Sequence, residues 1–302
     1  MRKFMLFLLL LPILFACSKE GSKIERYTVY DKVIDHSKPL AMGDDRDVYV
    51  FCDSVDWQGL KPFIGSAIEQ QINIVYPEQY FNLVMADIKD VKRLSKFKNL
   101  VYIGNLESDL PVSIYMKSVL NQDFIKRVQQ TGGELFTSEN LNCCDQIVLF
   151  LFGKDAKSLQ KIGALQAENI FSLLLKRFTN RQGYYAYQGK VIDPSFFDNY
   201  PFSLKIPDTY RLYSNDKVGR FLCFLYRARL ENREIPDKYI SVYYEPMPEN
   251  KVDLNWLIAK RQEIGKKYFE GDEFDPELVR KEPFTFKKHP GYRLLGAWKN
   301  MK

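Results

Sequence analysis

Ser158-Leu159-Gln160-Lys161 places a lysine one helical turn after a serine, an arrangement in which the amine can take the hydroxyl proton of a nucleophile. Serine acyl-enzymes built this way also carry Lys-Thr-Gly and Ser-Asp-Asn, and neither occurs here. Ser158 falls near the start of a surface helix, where both residues are ordinary. Five cysteines offer thiol chemistry. Cys52 and Cys223 sit inside apolar strand patterns and read as buried free thiols. Cys143-Cys144 lie in a polar turn; either can reach Cys52 or Cys223, and the connectivity stays open. There is no Cys-x-x-Cys and no second spaced pair for zinc. With His36 and His289 as the only histidines, neither a metal nor a cofactor is expected. His289 precedes Pro290-Gly291 as a turn residue. Asp44, Asp45 and Asp47 form one acidic cluster, and Asp272, Glu273, Asp275 and Glu277 another. Neither fits a calcium loop, and solvated loops account for both.

Aromatic residues are the remaining signal, at 15% of the chain. Tyr184, Tyr185, Tyr187, Phe196, Phe197 and Tyr200 crowd into one stretch. Tyrosine joins an apolar ring to a polar tip, which suits partner surfaces and sugar stacking. Tyr184, Tyr185, Tyr187, Phe196 and Tyr200 are therefore the candidate residues of a ligand or partner groove at the seam between domains. The competing reading is that these rings fill the seam. Lys and Arg outnumber Asp and Glu 44 to 38, but the excess is spread along the chain, so no nucleic-acid partner is expected.

The elements that must position these residues begin with an address. Met1-Arg2-Lys3, an apolar run from Phe4 to Ala16 and then Cys17 form a secretory leader, too short to span a hydrocarbon core of ~30 Å as a helix. Leu14-Phe15-Ala16-Cys17 resembles a bacterial lipobox, which implies cleavage after residue 16 and lipidation of Cys17. The acyl chains make the membrane the first expected partner, and Ser18 favours the outer membrane by the enteric rule. Residues 17–44 are polar and read as a tether.

Residues 45–180 alternate strands (Val48–Cys52, Tyr80–Met85, Leu100–Ile103, Leu135–Thr137, Gln146–Phe152) with helical patterns. One runs Gly59 to Gln71, one holds Ile88, Val91 and Leu94, and one is closed by Gly132-Gly133. The last is capped by Asp155 and carries Leu159, Ile162, Leu165, Ile170, Leu173 and Leu174. This predicts a layered α/β domain. Residues 181–201 read as an aromatic-rich connector. Residues 202–302 carry strand runs at Phe202–Ile206, Phe221–Tyr226, Tyr239–Tyr244, Phe284–Phe286 and Tyr292–Trp298. A long helix from about Asp253 to Phe269 stops at Gly271. That predicts a strand-rich α+β domain.

Five segments together resemble the uncharacterised envelope lipoproteins catalogued as domain of unknown function 4837. They are Asp47–Asp53 with Trp57, Lys98–Ile103, Phe202–Pro207, Ile240–Tyr244 and Arg261–Gly271. The resemblance covers about residues 46–302 and implies no catalytic residues, because the family has no assigned activity. Gly296-Ala297-Trp298-Lys299-Asn300-Met301 resembles the start of the family's terminal Gly-Leu-Trp…Met-Gly-Gly-Pro-Phe segment. The chain stops at Lys302, so relative to the family its end is truncated or different. The expected protein is a lipid-anchored envelope module that binds an envelope protein or glycan, or assembles with one, without catalysis. The alternative is an envelope hydrolase with a site at the domain seam.

Overall fold

The computed structural model describes residues 26–73, 77–230, 233–234, 237–246, 253–275, 279–286 and 288–299. Cys17, Glu277, Met301 and Lys302 lie outside them. The fold mixes α/β layering with antiparallel strands and one long helix. The chain divides into two compact units. Among the described residues the larger holds those within 32–181, 216–221 and 242–299; the smaller holds those within 26–31, 182–215 and 222–241. Sequence order alone suggests consecutive domains, whereas these units interleave.

The larger unit is built on strands β1 (Asp47–Cys52), β4 (Asn82–Ala86), β5 (Asn99–Asn105), β6 (Gly133–Glu139) and β7 (Ile147–Gly153), in the order β4-β1-β5-β7-β6. Two short strands, β2 (Gln71–Asn73) and β3 (Pro77–Gln79), pair with each other between β1 and β4. Neighbours are parallel except β6, which runs antiparallel to β7 at the edge. Parallel sheets need helices on both faces, and the side-chain alternation shows them. Val48, Val50, Val101, Ile103, Leu149 and Leu151 face α1 (Ser54–Leu60, prolonged by helical turns to Ile68) and α4 (Ala156–Ala186). Phe51, Leu100, Tyr102, Val148, Phe150 and Phe152 face α2 (Pro111–Val119) and α3 (Gln122–Thr131).

Asp155 caps α4 through Ser158 N at 2.7 Å, as its position predicts. Gly132 ends α3 at φ +85°, a left-handed conformation that favours glycine. The α1 start lies at Ser54, five residues before the expected Gly59. The helix α2 is marked by no expected element, although Pro111 opens it and Val112, Met116 and Leu120 repeat every four residues into the core.

The tether expectation fails for residues 32–44, which pack on the sheet's amino-terminal edge. Val33 and Ile34 are buried; Cys144 N donates to Pro39 O, and Met42 exchanges backbone bonds with Lys96 and Lys98. The reason is that most of these anchors are backbone groups, which polar composition does not report. Two arginines complete the edge. Arg177, on α4, donates to the Val33 carbonyl (2.8 Å), to Asn140 Oδ1 (2.5 Å) and to Glu139 (2.9 Å). Arg181 donates to Asp145 Oδ1 (2.5 Å) and Asn99 Oδ1 (2.9 Å).

The smaller unit has a core of Phe197, Ile206, Leu222 and Phe224. Its strands β8 (Arg211–Asp216), β9 (Phe221–Tyr226) and β12 (Lys238–Tyr243) are ordered β12-β9-β8, with a short pair β10 (Arg229–Leu230) and β11 (Arg233–Glu234) between β9 and β12 in sequence. Phe202–Ile206, expected as a strand, is irregular chain. Its side chains reach the core while Ile206 O accepts from Ile192 N outside any ladder. Residues 26–31 join this unit through Arg26, which bonds Asp31 and the Tyr187 carbonyl.

The C-terminal part of the larger unit carries α5 (Leu254–Tyr268), then β13 (Glu273–Phe274), the hairpin β14 (Arg280–Phe286) and β15 (His289–Leu295), and β16 (Trp298–Lys299), which pairs with β13. Asp253 caps α5 through Trp256 N at 2.7 Å, and Gly271 at φ +89° closes it through a bond to Gly265 O. No helix among the described residues is long and apolar enough to cross a membrane.

Candidate functional site

One opportunity for a ligand lies over α5. Trp256, Leu257, Lys260, Arg261 and Ile264 recur at helical spacing on one face, and Tyr292 and Leu294 alternate on β15. With Tyr243 and Gly296 they line an open-sided cavity of about 350 Å³. The Lys260 ammonium bonds Glu263 at 2.6 Å and stands 4.5 Å from the centre of the Tyr243 ring. The Glu263 bond raises the Lys260 pKa, so the amine is charged at neutral pH. Tyr243 donates its hydroxyl to Glu245 at 2.6 Å; burial, then that bond, raises its pKa. Burial lowers the Arg261 pKa, opposed by the nearby Asp272 carboxylate, and the guanidinium sits 5.8 Å from the Phe269 ring centre. Burial likewise raises the Asp272 pKa. These residues come from segments up to about fifty positions apart, and no local motif announces them.

The five expected groove residues all fall in the smaller unit, with three sets of partners. Tyr184 and Tyr185 stand on the last turn of α4, which runs on into the expected connector, and their rings pair at 5.5 Å. Tyr187 packs against the chain's own Tyr27 (4.9 Å) and Tyr30 (5.7 Å) and donates its hydroxyl to Lys205 O at 2.6 Å. Phe196 stacks on Tyr200 at 5.9 Å, and both pack on the unit's core beside Phe197. Tyr185 is the most exposed of the aromatic residues in this segment.

A second place with site-like chemistry is the carboxyl end of β1 and β5. The helix after β1 covers one sheet face and the helix after β5 the other, so their ends form the switch point where open α/β sheets bind ligands. Here the chain's own polar groups bond one another. Asp53 accepts from Val112 N and Ser113 N, each at 3.3 Å, and so caps α2. Buried Asp56 accepts from Asn105 Nδ2 at 3.2 Å, and Asn105 N donates to Ser113 Oγ at 3.1 Å. Burial first, then the Asp53 charge, pushes the Asp56 pKa up.

The other sequence candidates take structural roles. Ser158 lies in the first turn of α4 and Lys161 points to solvent. Cys52, Cys143, Cys144 and Cys223 are all buried free thiols; burial pushes the Cys223 pKa up to about 11 and holds the Cys52 thiol protonated. In the first acidic cluster Asp45 pairs with Lys98 at 2.7 Å, Asp44 bonds Arg46 N, and Asp47 accepts from Asn82. In the second, Asp272 is buried rather than solvated, because it lies beneath the end of α5 where its backbone carbonyl closes on Gly265. His36 is exposed, as is His289, which starts β15. Among the described residues no three His, Cys, Asp or Glu side chains gather as a metal site would require.

Comparison with protein-family models, with characterised proteins and with solved structures gives no match.

Proposed function

We propose that this chain is a lipid-anchored cell-envelope binding protein, held at the outer membrane through Cys17, whose working site is the cavity over α5. The cavity carries the reading. It has the size of a small-molecule site, three aromatic walls and two cations. Among the described residues no serine, cysteine, histidine or carboxylate lines it, which supports binding rather than turnover. The lipobox pattern Leu14–Cys17 supports the placement, as does the order of motifs resembling the domain of unknown function 4837 lipoproteins, which adds no site residues.

The anchor is tested by metabolic labelling with a fatty-acid probe. Wild type labels and sediments with membranes; Cys17→Ser loses the label and accumulates as precursor. Continued labelling of Cys17→Ser contradicts the assignment.

A further inference from the structure

We infer that the cavity over α5 takes a small acid on a ring body, either an aryl carboxylate or an aryl phosphate monoester; this rests on the binding reading above. Its volume of about 350 Å³ lies at the small end of ligand sites, enough for one ring and its acid group. The polar groups of its wall decide the rest. The Lys260 ammonium, the Arg261 guanidinium and the Trp256 indole are donors that cannot accept. The Tyr243 hydroxyl already donates to Glu245. The Tyr243 and Tyr292 oxygens are the acceptors among the lining side chains, so donors dominate the wall; a ligand that brings acceptors is favoured, and an anionic group makes the shortest and strongest bonds to such donors.

The charges nearby favour the same ligand. Both cations line the cavity, while Glu263, Glu245 and Asp272 do not. Glu263 is 61% exposed against 18% for Lys260, so the ammonium is held inside by a carboxylate standing in water. Such a pair contributes little and yields readily to a bound anion. The remaining walls, Leu257, Ile264 and Leu294 with the three rings, offer apolar surface. A sugar would set several hydroxyl donors against that surface with few acceptors to receive them, so the ring body is apolar.

The test is a titration of the full chain in lipid nanodiscs, read by tryptophan fluorescence. The probes are phenyl phosphate and benzoate (ring with acid), benzyl alcohol (ring without acid) and glucose 1-phosphate (acid on a sugar). Phenyl phosphate or benzoate should saturate, with a signal that disappears in Trp256→Phe. The other two should bind at least about tenfold more weakly. Lys260→Gln, checked by circular dichroism for folding, should weaken the acids by about tenfold or more, as expected for one lost charge-assisted bond, and Lys260→Arg should restore most of it. Equal or tighter binding of benzyl alcohol or glucose 1-phosphate at Trp256 overturns the ligand class and leaves the binding reading standing. No saturable signal at Trp256 from any of the four overturns both.

Discussion

Strands β7 and β15 are each seven residues long and live in opposite surroundings. All seven residues of β7 are buried, because apolar side chains on both faces meet helices on both sides of the sheet. In β15 only Gly291 and Leu294 are half-buried and the other five are exposed. A strand apolar on both faces can serve only as core. A strand with one open face is free to offer Tyr292 and Leu294 to a cavity. The difference separates the part of the molecule that holds the fold from the part that recognises a ligand.

The sharpest way to break that division is at the amino-terminal edge of the sheet. Arg181→Met leaves Asp145 buried without its cation and should cost about 3–5 kcal/mol in urea unfolding. The double variant Arg181→Met with Asp145→Asn should regain part of the loss. A single variant of wild-type stability would mean that this pair does not hold the edge.

Next in size is a direct contrast of the two strands. Leu149→Ala on β7 should cost about 2–5 kcal/mol, since no solvent reaches that side chain. Tyr292→Ala on β15, where 43% of the residue is exposed, should cost less than about 1 kcal/mol while weakening the ligand. Comparable losses from both would make β15 core and remove the distinction.

Smallest are two opposite pH responses. Asp56 has a raised folded pKa, so the folded state binds its proton more tightly than the unfolded chain. Its contribution makes stability fall as pH rises from about 4 through the raised value. Asp216 accepts from Gly219 N, Lys267 and Tyr268, which hold its carboxylate far below the usual range. Its contribution is present above about pH 4 and is lost on acidification. Asp56→Asn should flatten the first slope and Asp216→Asn the second, read as unfolding midpoints from pH 3 to pH 8. A steeper slope in either variant contradicts the assignment.

Much of the fold is legible in local pattern. The runs at β1, β5 and β7, the Asp155 cap, the α5 start near Asp253 and the Gly132 and Gly271 stops stand where spacing predicts them. What pattern hides has physical reasons. The strand β8 is largely exposed and carries no apolar run. Segment 32–44 is held largely by backbone groups. Arg177 and Arg181 continue the buried stripe of Ile170 and Leu174 at helical spacing, so two charges in an apolar register are a signal for a buried polar network. The cavity has no such local signal. It forms where a helix face and a strand face of the larger unit meet Tyr243, and only the tertiary structure brings Tyr243, Trp256 and Tyr292 together.

Hydrogen exchange of the full chain with and without phenyl phosphate tests the central division most directly. The account predicts added protection in residues 254–268 and 289–295, with exchange of β5 and β7 unchanged. Protection that appears elsewhere and leaves α5 untouched would contradict it.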